Sequence, residues 1–192
     1  MTLAGCSNAV KYTLSGQYAR ARPHSVAVMP VKGADSMADG KREVSYLFRT
    51  MAVERLKAMN YNAVPLEEVD VRILKSGRDQ FAGKTPKEIA GELDVDSILY
   101  IHITEWDSRL FVTYASMKFK ARFELYGRDG ARLWQADHSW GDADLRLDRA
   151  SLELAVIKAY EPQVQRFIDL VFATLPKGET RQEEKRYFDW LP

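Results

Sequence analysis

The chain has 192 residues, of which 46% are hydrophobic, enough for the core of a single globular domain. Its 28 basic and 27 acidic residues give a formal charge of +1, so the chain lacks the basic excess that is typical of proteins that bind nucleic acid. A single cysteine excludes an internal disulfide, and no apolar run reaches the roughly 20 residues of a membrane-spanning helix.

The stretch Leu3-Ala4-Gly5-Cys6 contains the only cysteine and fits the lipobox, at which bacterial lipoprotein precursors are acylated and cut. Small residues before the cysteine fit the peptidase cleft, and its thiol takes a diacylglyceryl group. We therefore expect Cys6 to carry acyl chains such as palmitate, two or three of which anchor a protein stably. Ser7, a residue other than Asp, is the usual pattern for sorting to the outer membrane.

Two interpretations of this stretch remain open at the sequence level. Met1 and Thr2 cannot supply the charged and apolar parts of a signal peptide, so the lipobox interpretation places those parts upstream of Met1. The alternative is a chance cysteine in a frayed amino terminus.

The chain divides into three predicted parts. Residues 1–24 hold the lipobox and a polar, solvated tether, and residues 25–176 form a single α/β domain. Residues 177–192 form a charged tail that ends in the aromatic run YFDWL.

The first half of the domain alternates between strands and helices. Residues 25–31 are a short apolar run that predicts a buried strand. Glycines follow it, but neither a dinucleotide fingerprint nor a Gly-Lys-Ser/Thr ending is present, so no nucleotide site is expected. Apolar residues at spacings of three and four predict a helix over 41–60, followed by a strand at 61–65 and a short helix at 66–75.

The next helix has a defined start. Thr85 can cap it, Pro86 suits its first turn and Glu88 completes a capping box, so we expect a helix from 85 to 93.

Three antiparallel strands and a final helix complete the prediction. Strict alternation marks strands at 97–106 and 111–126, and the Asp129-Gly130 turn leads into a partner strand at 131–140. A helix is expected over 150–175. In the second strand the residues expected to face the helices are Met117, Phe119, Ala121, Phe123 and Leu125. The fold class is therefore α/β (α+β), a mixed sheet of about five strands with helices packed on one face and a long carboxy-terminal helix.

The other face of the sheet is the candidate interaction surface. Aromatic residues mixed with basic ones are enriched at protein interfaces. The candidate residues are Tyr100, His102, Trp106, Lys118, Lys120, Arg122, Trp134 and Trp140, with Thr104 and His138 beside them. The alternative is that the last helix or the aromatic tail covers this face.

Candidate catalytic and metal-binding residues are absent from the sequence pattern. His102 and Glu105 are three apart on a predicted strand, which places them on opposite faces. The three histidines lack zinc-binding spacing, and no Gly-x-Ser-x-Gly elbow is present. We expect no enzymatic activity, metal or cofactor.

Four ordered motifs carry a family resemblance: SVAVMP at 25–30, MNYNAVP at 59–65, LDVDSILYIHITEW at 93–106 and GARLW at 130–134. Preceded by a lipobox, the set resembles a family of bacterial lipoproteins of unassigned function, known from a meningococcal surface vaccine candidate. Its strand and helix order is also similar to that of curli-secretion (CsgG-type) lipoproteins, the amino-terminal domain of TolB and lipoprotein activators of peptidoglycan synthases.

The resemblance implies a periplasm-facing protein anchored in the outer membrane, with no catalytic residues. The expected function is to assemble or regulate a trans-envelope secretion or transport complex, with a channel-type lipoprotein as partner. We also expect a homo-oligomer that pairs through the sheet. The alternatives are an activator of a peptidoglycan synthase and a module that binds a glycan or small ligand through aromatic residues.

Overall fold

The computed structural model describes residues 9–33, 41–77, 81, 83–110, 115–145 and 156–179. Within these ranges the strands are β1 Lys11–Leu14, β2 Ser25–Val28, β3 Asn62–Ala63, β4 Ser97–Leu110, β5 Ala115–Gly127 and β6 Arg132–Leu145. The helices are α1 Tyr18–Ala21, α2 Lys41–Ala58, α3 Leu66–Ser76, α4 Pro86–Leu93 and α5 Val156–Phe172.

All six strands belong to one mixed sheet, in the order β1-β6-β5-β4-β2-β3. β2 runs parallel to both β3 and β4, whereas β4, β5, β6 and β1 are successively antiparallel. In sequence, α2 lies between β2 and β3, and α3 and α4 lie between β3 and β4, which supplies the crossover connections that parallel neighbours need. The predicted α/β fold class, with a mixed sheet and a carboxy-terminal helix, is confirmed.

The larger core lies between the sheet and the two long helices. α2 contributes Phe48 and α5 contributes Phe167, and the two rings pack edge to face at 6.1 Å. Both also contact Phe119 of β5, at 5.7 and 4.7 Å. Phe119, Ala121, Phe123 and Leu125 are fully buried, so the predicted facing of β5 is confirmed for these four residues, while the side chain of Met117 lies outside the described part.

The second face of the sheet also carries helices, at its β2 and β4 end. Ala27, Ile98 and Tyr100 pack there with Val69 of α3 and Ile89 of α4 in a separate apolar cluster. The prediction placed helices on one face only, whereas the structure has α3 and α4 on the other. Ile98 and Tyr100 alternate with Leu99 and Ile101, and both sets are buried because this end of β4 is covered on both sides.

The amino-terminal segment, for which the sequence predicts a solvated tether, forms β1 and α1. β1 pairs with β6 in the register Tyr12 with Ala136 and Leu14 with Trp134. The hydroxyl of Tyr18 hydrogen-bonds that of Tyr61, and both hydroxyls lie within reach of the Pro176 carbonyl oxygen. This part of the chain is therefore docked on the domain.

Side-chain hydrogen bonds fix where β2 enters the sheet. The carboxylate of Asp96 accepts from the backbone N–H groups of Ser25 (2.9 Å) and His24 (3.2 Å), and Ser25 Oγ accepts from the Asp96 N–H at 2.8 Å. Burial raises the pKa of Asp96, but these bonds outweigh it and lower the pKa below its usual range.

The first glycine after β2 is required by packing. Gly33 has φ of +79°, and a Cβ added there would lie 2.0 Å from the carbonyl oxygen of Ile103. Lys32 donates to and accepts from the β4 backbone next to it, at 2.9 Å in both bonds. The chain leaving β2 is thus held against β4.

The predicted start of α4 is confirmed. Thr85 Oγ1 accepts from the Glu88 N–H while the Glu88 carboxylate accepts from the Thr85 N–H at 2.7 Å, which is the reciprocal capping box. Pro86 lies in the first turn of α4.

We predict that Phe123→Ala lowers the free energy of unfolding by about 3–5 kcal/mol, because it leaves a cavity beneath α5. Lys120→Ala, three residues away on the opposite face, should cost under about 0.5 kcal/mol. Denaturant titration of both variants measures the difference. Equal losses would mean that the register of β5 is shifted by one residue, since such a shift exchanges its faces.

Candidate functional site

The candidate site is the outer face, defined as the face of the sheet opposite α2 and α5. Five of the eight predicted surface residues lie on it, and four of these are at least partly exposed: His102, Lys118, Lys120 and Arg122. The three basic side chains are exposed and His102 is half-buried. β4 and β5 place them there because their alternate neighbours fill the core beneath α2 and α5.

Tyr100 also lies on the outer face but is not free for contact. It is only 7% exposed, since α3 and α4 cover this end of the sheet. Its ring packs edge to face on Tyr126 at 5.8 Å, and Lys32 Nζ lies 5.0 Å from its centroid. Burial, followed by the influence of Tyr126 and Glu124, raises the pKa of Tyr100 to about 12.

The prediction for Trp106 is wrong because β4 contains a bulge. The pairing with β5 shifts between Ile103 and Glu105, which leaves Thr104 unpaired. Beyond it, Trp106 lies opposite Phe119, and their ring centroids are 5.6 Å apart on the helix side. The same shift brings Glu105 to the outer face, opposite Lys120, where the sequence predicts an inward side chain.

The predictions for Trp134, His138 and Trp140 are wrong because of the register of β6. These residues lie opposite Leu125, Ala121 and Phe119, all of which face the helices. Trp134 is 1% exposed and its indole N–H donates to Thr174 Oγ1 at 3.1 Å. His138 is 4% exposed and stacks on Phe167 at 5.2 Å, and Trp140 packs against the edge of the same core.

Acidic residues that the sequence analysis missed take the place of these aromatics on the outer face. Lys118 Nζ lies 2.7 Å from Glu105 Oε1, and Arg122 Nε lies 2.7 Å from Asp137 Oδ1. Arg122 and Asp137 lie directly opposite each other, whereas Lys118 and Glu105 form a diagonal pair. Opposite charges on neighbouring strands stabilise a sheet modestly, and exposed pairs contribute little beyond that. These acids could have been found by searching for charges of opposite sign on neighbouring strands. That search requires knowing the register between the strands, which the sequence alone does not supply.

Among the outer-face acids whose side chains the structure describes, Glu124 is the most buried, with its side chain 13% exposed. Its carboxylate lies 3.2 Å from Arg132 Nη1 and 3.4 Å from His102 Nε2, and it accepts from the Tyr126 hydroxyl at 3.4 Å. Three strands therefore converge on one carboxylate, which holds the central side chains of the face in place.

His102 stays biased toward its neutral form in this setting. Burial lowers its pKa most, Glu124 opposes that effect, and Lys32 and Arg122 lower the pKa further. The outer face can present to a partner the paired charges described above, with a neutral imidazole as a hydrogen-bonding group among them.

Among the described residues, no group of three or more His, Cys, Asp or Glu side chains could hold a metal ion. In the same part of the chain, no helix combines the length and apolarity needed to cross a membrane. Cys6 lies outside the described residues.

Comparison with known proteins rests on the fold, since the sequence matches no protein-family model and no curated protein. The lipoprotein GNA1162 from Neisseria meningitidis has a similar structure, with a TM-score of 0.54 and 20% identity over 75% of this chain and 99% of that one. The hypothetical protein CT253 from Chlamydia trachomatis gives a TM-score of 0.53 and 14% identity over 79% and 94%.

A PelC dodecamer from Paraburkholderia phytofirmans gives a TM-score of 0.47 with 19% identity, covering 81% of this chain and 96% of that one. At these identities the first two likenesses show a shared fold. The resemblance to a meningococcal lipoprotein is thus confirmed at the level of fold, and the resemblance to the CsgG and TolB types stays a prediction.

We predict that the unfolding free energy falls as pH is lowered from about 7 to about 5, because burial lowers the pKa of both His102 and His138. Below the ordinary histidine pKa of about 6.5 the unfolded chain takes up protons that the folded chain does not. His138→Phe should reduce this slope. Urea titrations at several pH values measure it, and an unchanged slope in the variant would contradict the assignment.

Proposed function

We propose that the protein is a non-catalytic lipoprotein of the bacterial envelope, held on the periplasmic side of the outer membrane by an acylated Cys6. In this proposal it assembles or regulates a trans-envelope secretion or transport complex by binding other envelope proteins, with a channel-type lipoprotein as the expected partner.

The observation that carries the proposal is the position of the lipobox motif relative to the fold. Leu3-Ala4-Gly5-Cys6 stands just ahead of β1, the first strand of a domain that shares its fold with the lipoprotein GNA1162. A cysteine in that sequence context is the site at which bacterial lipoproteins are acylated.

The docking of β1 limits how far an anchored domain can stand from the membrane. Val10 packs against the core and β1 begins at Lys11, so Cys6 is only five positions ahead of the sheet in sequence. An extended chain from Cys6 to Lys11 spans roughly 17 Å, against roughly 60 Å for a tether that ran free to residue 24. The domain would therefore lie against the bilayer and meet partners close to that surface.

The outer face supports protein binding better than glycan binding. Its exposed groups are charged side chains in fixed cross-strand positions, which suit a partner surface of complementary charge. The tryptophans that a glycan platform would need, Trp106, Trp134 and Trp140, pack on the helix side. Self-association through the sheet stays a prediction.

We predict that, with a complete signal peptide, the wild-type protein incorporates labelled fatty acid and fractionates with the outer membrane. Cys6→Ser should abolish both, because the acylated thiol is lost, and should leave the thermal unfolding midpoint unchanged. Metabolic labelling and membrane fractionation measure the two effects. Labelling that persists in Cys6→Ser would contradict the lipid anchor.

The binding half of the proposal is tested on the same anchored protein. Arg122→Glu reverses a charge on the outer face, and Lys57→Glu reverses an exposed charge on α2, on the other side of the domain. Co-purification with a channel-type lipoprotein should weaken in the first variant and persist in the second. Equal recovery from both would remove the outer face as the interface.

A further inference from the structure

Among the described residues, no strand pairs with the outer edge of β1. In the described part of the chain β1 lies at the end of the sheet and pairs with β6 alone. The Ser15 N–H donates to the Leu133 carbonyl at 2.8 Å, so by antiparallel alternation Thr13 and Lys11 form the bonded pairs with β6. Tyr12 and Leu14 therefore direct their backbone N–H and C=O groups away from the sheet.

The side chains of β1 also lack cover. Tyr12 and Leu14 lie on the helix side, opposite Ala136 and Trp134, yet they are 56% and 44% exposed. Lys11 and Thr13 lie on the outer face. The strand thus presents two apolar side chains on one side and a cation on the other, beside backbone groups that point away from β6.

The carboxy-terminal segment leaves the domain next to this edge. The Gly178 N–H donates to the Met59 carbonyl at 2.8 Å, which fixes the chain, and Arg22 Nη1 lies 3.3 Å from the Glu179 carboxylate. A cavity of about 530 Å³ lies at this point, lined by Leu14 at the end of β1 and by Pro176 to Glu179. Residues 180–192 follow, so they start at one end of β1.

The sequence of that segment complements β1. In the run Tyr187-Phe188-Asp189-Trp190-Leu191 an extended chain places Phe188 and Trp190 on one side and Asp189 on the other. Such a strand can set its two large rings beside Tyr12 and Leu14 while Asp189 faces the side of Lys11. From Glu179 to Tyr187 an extended chain reaches roughly 26 Å, which covers the length of β1 in either direction.

We propose that residues 187–191 pair with the outer edge of β1 of the same chain, as a further strand of the sheet. The pairing satisfies the backbone groups of Tyr12 and Leu14 and covers their side chains. It also blocks an edge that would otherwise pair with another chain. The tail therefore decides whether β1 is available for sheet extension.

Disulfide trapping in the full chain tests the pairing, with Cys6→Ser removing the native thiol. Tyr12→Cys is combined with Phe188→Cys or with Trp190→Cys. We expect at least one pair to close within the monomer about tenfold faster than a matched pair with Tyr46→Cys, because pairing raises the local thiol concentration. Tyr46 is a suitable control because it is 55% exposed on α2.

Equal closure in test and control pairs overturns the proposal. A cross-linked dimer overturns it as well, since the occupant would then be the tail of a second copy. Hydrogen exchange needs no engineered thiol: the amides of Tyr12 and Leu14 should exchange about tenfold more slowly in the full chain than in a chain that ends at Glu179. Equal exchange rates would contradict the pairing.

Discussion

β6 pairs with two strands at once, with β5 along most of its length and with β1 over four residues. Its register decides which of its side chains face the helices and which lie on the outer face. It places Trp134 and His138 under α5 and leaves Asp137 beside Arg122 on the outer face. A shift of one residue would exchange these sets, burying charges and exposing aromatic rings. That energetic difference is what holds the register in place.

β6 also holds the amino-terminal segment, because β1 pairs with it. Because β1 attaches to β6, the part of the chain nearest Cys6 belongs to the sheet, and an anchored domain has a defined distance and edge relative to a membrane. Tyr18 and Tyr61 meet at the Pro176 carbonyl, so the entry and exit of the domain are fixed at one corner. The outer face, this corner and the edge of β1 are therefore connected through one sheet.

Most of the fold could be predicted from the sequence, and less of the site. Alternation around Phe119 and Phe123 predicted the facing of β5, and the Thr85 capping box predicted the start of α4, since these signals are local. The bulge at Thr104 could not be predicted, because its sequence keeps alternating while its pairing shifts. β1 was missed because the alternation of Lys11-Tyr12-Thr13-Leu14 is only four residues long and all four residues are exposed. Both misses arise from contacts between residues distant in sequence, as does the ion-pair set around Glu124.

The register of β6 is tested most directly by nuclear Overhauser effects in the soluble full chain. The account predicts close Hα–Hα contacts between Tyr12 and Ala136 and between Leu14 and Trp134, since these are the non-hydrogen-bonded pairs. Contacts displaced by one residue, or none between residues 11–14 and β6, would contradict it. The first result would mean that the register between β1 and β6 is different, and the second would separate β1 from the sheet.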